Sequence, residues 1–258
     1  MRGYPSCSFL QSTCFWAACP ISKERKRQIM KKEAKIIAAI LAAISSVLGV
    51  LIQVTSGRLS ASLCFLSVGS AVFAAMLLRW LCDGSPYILL GLAFTLCSDF
   101  MLVLMPSEYR LPSMITFSLA QLCYFLLVLR EESRGRVKKI HVITRIFASF
   151  AAIAAAIFVL GDGADALALI SMFYFANLIC NTLFSFLLGK QRLLLFIGLV
   201  LFVLCDTAVG LSVIEEYVTL GEGTLLYMIA HPSINLAWLF YVPSQTLIAI
   251  SAMKKKTL

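Results

Sequence analysis

The sequence predicts an all-α membrane protein: an eight-helix transmembrane bundle, two four-helix halves in parallel repeat, with both termini cytoplasmic. Three observations carry this. Of 258 residues, 60% are hydrophobic and 14% charged, where a soluble domain has about 45–50% and about 25%, and mean hydropathy is +0.92. The apolar residues come in runs of about 18–25, the length that crosses about 30 Å of hydrocarbon as a helix. A β-barrel would instead show alternating segments of about ten residues, which this sequence lacks. Finally, Lys and Arg collect in alternate connections between the runs, as orientation signals do.

Residues 1–30 differ from the rest. They hold Cys7, Cys14 and Cys19, a weak apolar patch at Phe15-Trp16-Ala17-Ala18, and a basic run from Lys23 to Arg27. The patch is too short to span, and its charge follows the apolar stretch, whereas a signal peptide has it in front. The expected native start is Met30, which leaves 1–30 as a tail and 31–258 as a single eight-span membrane domain. Hydropathy places the spans at about 34–54, 59–82, 86–105, 111–129, 143–160, 164–188, 192–214 and 230–252, with limits good to about two to four residues. Pro86, Pro112 and Gly161-Asp162-Gly163 punctuate the boundaries. Short connections make sequence neighbours antiparallel neighbours in space.

Numbering the connections alternately sorts the charge. One side takes the N-terminal tail, Arg79, a 130–145 loop with Arg130, Arg134, Arg136, Lys138, Lys139 and Arg145, then Lys190, Arg192 and the Lys254-Lys255-Lys256 end. The other has only Arg58 and Arg110, beside Glu108, Asp162, Asp165, Glu215, Glu216 and Glu222. An odd number of spans would destroy the partition. The basic side is therefore expected in the cytoplasm, and the location is a multi-pass position in the plasma (cytoplasmic) membrane of a bacterium. The net charge of +9 is accounted for by these signals. With no soluble module to carry it, nucleic-acid binding is not expected.

Two stretches read almost alike: Gly91-Leu92-Ala93-Phe94-Thr95-Leu96-Cys97-Ser98-Asp99 and Gly198-Leu199-Val200-Leu201-Phe202-Val203-Leu204-Cys205-Asp206. A carboxylate at mid-membrane costs about 2.5–3.5 kcal/mol on the insertion scale, so two of them point to a polar site inside the bundle. Both lie roughly 20 Å from the inner boundary on helices running outward. The following helices carry Ala120-Gln121 and Ser244-Gln245, which suggests a duplicated half-bundle related by an axis along the membrane normal. Candidate site residues are Asp99 and Asp206 as catalytic groups, with Gln121, Tyr124, Asn177, Asn181, Tyr241 and Gln245 binding or supporting. Pro243 bends the last helix beside Gln245. Two carboxyls in one low-dielectric pocket divide into a general acid and a general base, suited to acid-labile ether and acetal bonds. Proton-coupled transport, or lipid binding without turnover, would use the same residues. No Cys-x-x-Cys pair occurs among nine cysteines, and His141 and His231 lie far apart. No metal and no cofactor is expected.

At these residues the chain resembles the YhhN-like membrane proteins, the lysoplasmalogenase family. Leu90 to Asp99 resembles its first aspartate motif, Phe117 to Tyr124 its next, Gly198 to Asp206 its second aspartate motif, and Phe240 to Ala249 its closing tyrosine and glutamine helix. The resemblance covers about residues 86–252 and implies eight spans. It also implies hydrolysis of the vinyl ether bond of lysoplasmalogens to a fatty aldehyde and a glycerophospho-base, with Asp99 and Asp206 essential. The partners it implies are a lysophospholipid-type substrate and the bilayer. Two positions depart from the family pattern: Ser98 where glycine is more frequent, and Gln121 where histidine is common. Glutamine can bond across helices but cannot shuttle a proton.

Overall fold

The computed structural model describes residues 23–213 and 234–253, with positions 217, 221, 223, 224 and 227 between them. The expectations on residues 1–22, on Glu215, Glu216, Glu222 and His231, on the first residues of the eighth span, and on Lys254 to Lys256 lie outside the described residues. The described helices are α1 (Lys23–Val54), α2 (Gly57–Cys82), α3 (Pro86–Asp99), α4 (Arg110–Glu131), α5 (Gly135–Leu160), α6 (Ala166–Phe186), α7 (Leu193–Val213) and α8 (Leu236–Ile250). No strand occurs among the described residues. Seven segments are long and apolar enough to cross a membrane, and α8 is a shorter apolar helix of 15 residues.

Local chemistry fixes the ends. α2 stops at Asp83, which is left-handed at φ 50°. α3 opens on Pro86 at its first turn, where a missing N–H costs nothing. Asp165 caps α6 by accepting from Ala168 N at 2.7 Å, and Asn235 caps α8 by accepting from Trp238 N at 3.3 Å.

One boundary corrects the sequence reading. The 130–145 loop is a turn over residues 132–134, because α5 begins at Gly135. Beyond Gly135 that stretch contains no helix breaker, and Lys and Arg stems can lie along a helix while their heads reach water. Arg145 is consequently an interior residue of α5 and not a loop charge. α1 itself begins at Lys23, and its membrane-length apolar segment, Lys32–Val54, agrees with the expected first span.

Side-chain links define two ends of the bundle. At one end Gln53 of α1 donates to Asn235 O at 3.0 Å, and Asn235 N donates back to Gln53 Oε1 at 2.9 Å. At the other, Ser85 N before α3 donates to Ala252 O after α8 at 3.1 Å. There Arg192 joins Glu131 and donates to Ser251 O at 2.5 Å. Arg134 reaches Leu187 O at 3.1 Å. Consecutive helices therefore alternate in direction, and most described basic residues sit at the second, basic end.

α3 packs on α4, α4 on α6, α6 on α7, α7 on α8, and α8 returns to α3. These five helices close a ring. α2 and α1 cover its α3–α8 side, and α5 covers α6. The outer surface is apolar, with Trp80 81% and Phe158 90% exposed, as lipid-facing residues should be. The interior carries the polar residues.

Candidate functional site

The glycines of the two aspartate blocks bring in the helices that follow. A Cβ on Gly91 would lie 2.5 Å from Tyr124 Cε1, so only glycine admits the Tyr124 ring of α4 against α3. A Cβ on Gly198 would lie 2.8 Å from Ile248 Cγ1 and 3.2 Å from Ser244 O. Ser244 Oγ donates to the buried Gly198 carbonyl at 2.8 Å. Eight residues beyond each glycine, the carboxylates point into the ring.

Asp99 is the last residue of α3, just before a π-helical turn at Phe100–Leu104. Such turns interrupt the regular ladder and recur at functional sites. Ser98 locks this point to α4: its Oγ donates to Ser113 O at 2.6 Å, and Ser113 Oγ donates to Ser98 O at 3.1 Å. Asp99 is 3% exposed, and Tyr241 Oη of α8 donates to its Oδ2 at 2.7 Å. Asp206 of α7 is half-buried and accepts at Oδ2 from Tyr174 Oη of α6. Each carboxylate is the fourteenth residue of its helix, about 20 Å from the basic end at 1.5 Å per residue.

The two acid–tyrosine pairs share one aromatic core. Tyr241 meets Phe202 at 5.4 Å between centroids, Phe202 meets Phe117 at 6.2 Å, and Phe117 meets Tyr174 at 5.5 Å. Among the described residues no hydrogen bond joins the two carboxylates directly, and the aromatic chain links their tyrosine partners. Two carboxyls on one aromatic core, with one tyrosine donor each, can hold a proton at two chemically distinct positions.

The remaining expected residues divide. Gln121, Asn177 and Asn181 form a second cluster toward the basic end. Asn181 Nδ2 donates to Gln121 Oε1 at 2.8 Å, Asn177 Nδ2 donates to Ser149 Oγ at 3.2 Å, and Arg145 donates to both asparagine Oδ1 atoms. Tyr124 and Gln245 are buried without bonds from their side-chain polar atoms and touch neither cluster through a hydrogen bond.

Tyr174 and Arg145 were not singled out by the sequence reading. Tyr174 had a usable signal: with Asn177 and Asn181 it makes an i, i+3, i+7 stripe down one face of α6. Arg145 had none, because its neighbours Lys138 and Lys139 made it one more loop cation.

A ring of apolar helices, four of them in membrane-length segments, closed around two tyrosine-bonded carboxylates defines a polytopic helical membrane protein with a polar core. The chain belongs to the YhhN family, whose sequence model matches residues 61–252. That match takes in all five helices of the ring. No curated protein and no solved structure matches the chain.

Proposed function

We propose that the protein is an intramembrane hydrolase that cleaves the vinyl ether bond of lysoplasmalogens, releasing a fatty aldehyde and a glycerophospho-base. The observation that carries this reading is the pair of carboxylates at one depth, each bonded through Oδ2 to a tyrosine hydroxyl, inside a helix ring. Membership of the YhhN family supports it. One carboxyl protonates the vinyl carbon distal to the ether oxygen, leaving an oxocarbenium ion. The other, ionised, stabilises that cation and orients a water molecule. Water adds at the cationic carbon and loses a proton to the carboxylate, and the hemiacetal collapses to aldehyde and alcohol. The tyrosines hold Oδ2 of each acid, so that Oδ1 faces the reacting atoms. Bilayer burial suits a substrate with one long chain.

The parallel repeat belongs to the same proposal. Gly91 meets Tyr124, three residues after Gln121, and Gly198 meets Ile248, three residues after Gln245. Phe117 and Tyr241, each four residues before its glutamine, both pack on Phe202. We take the basic end as cytoplasmic. A fluorescent protein that matures only in the cytoplasm, fused after Leu258, should fluoresce.

The test is aldehyde release from a lysoplasmalogen in detergent micelles. Wild type should produce aldehyde with or without a chelator, while Asp99→Asn and Asp206→Asn should each lower the rate at least 100-fold, about 2.7 kcal/mol of barrier. A wild type that releases none, or an active double variant, overturns the reading.

A further inference from the structure

We infer that Arg145 and Gln121 form a binding site for the phosphodiester of a lipid headgroup, reached through a basic groove between α4 and α5. The inference adds a substrate-recognition site to the proposed hydrolase and rests on that reading only for the substrate's name.

Arg145 carries an uncompensated charge. Arg145 lies ten residues into α5, about 15 Å along the helix, and among the described residues no carboxylate pairs with it. Its guanidinium lies over the Phe125 ring at 4.1 Å. Nη1 donates to Asn177 Oδ1 at 2.5 Å and Nη2 to Asn181 Oδ1. Neutral amides orient a guanidinium without neutralising it, and a cation at this depth is costly unless paired.

The hydrogen-bond polarity then runs one way. Arginine only donates, so Asn181 must turn Oδ1 toward it and Nδ2 away. Asn181 Nδ2 donates to Gln121 Oε1 at 2.8 Å, which turns Gln121 Nε2 outward from the pair. Gln121 is fully buried, and its Nε2 has no acceptor; nor has the buried Arg145 Nε. Both orphans in this cluster are donors. Surplus donors beside a surplus positive charge fit an oxyanion, and a planar guanidinium suits a phosphate.

A route and a spacing complete the case. A groove of about 640 Å³ runs between α4 and α5, with Leu126, Val142 and Ile143 on its walls and Arg130, Lys138 and Lys139 along it. The adjacent acids are engaged elsewhere, Glu131 with Arg192 and Glu132 with Arg134. Leu126 follows Phe125, and Val142 precedes Arg145 by one turn, so the groove's wall comes within one helical turn of the arginine. On α6, Tyr174 lies three residues from Asn177 and seven from Asn181, which separates the acid layer from the arginine layer by about 5–10 Å. A glycerol backbone spans roughly 6 Å between its phosphate and its far ether oxygen. A phosphate on Arg145 therefore sets the ether bond at the level of the carboxylates.

The test uses the full chain in micelles and two non-cleavable probes: a 1-alkyl lysophospholipid, and the matching 1-alkylglycerol without phosphate. Inorganic phosphate is the third. Arg145→Gln should weaken lysophospholipid binding at least tenfold and leave alkylglycerol binding unchanged, with Arg145→Lys intermediate. Gln121→Leu should show the same selectivity more weakly, and it serves if Arg145→Gln does not fold. Equal loss for both lipids, or no loss for either, overturns the site. Binding of inorganic phosphate without lysophospholipid binding overturns the lipid assignment. Selective loss in the variants, alongside a wild type that releases no aldehyde, retains this site and overturns the hydrolase reading instead.

Discussion

Tyr241 is the residue whose removal most directly probes the acid pair. Its hydroxyl donates to a buried carboxylate at 2.7 Å, and hydrogen bonds to charged groups contribute about 1.5–3 kcal/mol. Tyr241→Phe keeps the ring contacts with Phe202 and Trp238 and removes only that donor. Aldehyde release should fall about 10- to 100-fold, with far-ultraviolet circular dichroism unchanged. Asp99, Asp206 and Tyr241 could all be picked out from sequence, because a polar residue in an apolar run is conspicuous by its cost. Which residue bonds which could not. The expected set contained Tyr241 without its acid and omitted Tyr174, since helix rotation about the ring depends on packing that no single span encodes. Arg145 shows the opposite failure: its residue type fitted a loop so well that its place inside α5 left no trace in the charge pattern.

Helices approach closely where side chains are small, and the α3–α4 contact shows how sharply. A methyl at Gly91 would lie 2.5 Å from the Tyr124 ring, so Gly91→Ala must displace α4 or turn the ring. Overpacking of this kind costs about 1–3 kcal/mol. A Cβ at Gly69 of α2 meets nothing within 4 Å, so Gly69→Ala should be neutral or stabilising by up to about 1 kcal/mol through helix propensity. Thermal unfolding in micelles should separate the two variants in that order. The α4–α5 turn makes a pH prediction. Glu132 accepts from Arg134 N at 2.9 Å and from its Nε and Nη2 at 2.8 and 2.7 Å. Those side-chain bonds from Arg134 hold the Glu132 carboxyl below its usual range, at about 2. A depressed folded value means that the stabilisation is complete above the unfolded value of about 4.3 and is lost as pH falls toward 2. Glu132→Gln should therefore melt below wild type at pH 7, with the gap narrowing progressively below about pH 4.5. Among the described residues, seven membrane-length helices and a shorter eighth follow one another in the expected order, because hydropathy reports length directly. The short 132–134 turn was not legible, because the basic residues that mark a membrane boundary need not leave the helix.

The bundle as a whole is tied at its basic end, where chain segments far apart in sequence converge on Arg192. This side chain is 6% exposed, pairs with Glu131 at the end of α4, and donates to Ser251 O beyond α8. It thereby joins the end of α4, the α6–α7 connection and the C-terminal end of α8, and the last two flank the ring's carboxylates through α7 and α8. Replacing Arg192 by Met preserves the aliphatic stem but leaves a carbonyl and a carboxylate without their donor. Loss of one partner from a well-buried pair costs about 3–5 kcal/mol. Glu131 is 24% exposed and regains some water, so a loss of about 2–3 kcal/mol is expected. Glu131→Gln alone should cost less, because Arg192 keeps the Ser251 carbonyl. If the clasp acts as one unit, the double variant should be less destabilised than the two single losses combined, by a coupling of about 0.5–3 kcal/mol. Unfolding of the four proteins in micelles measures that coupling directly, and strict additivity would mean that Arg192 holds the bundle through Ser251 alone. Because the clasp lies about 20 Å from the acids, activity at temperatures well below melting should change little in any of the four.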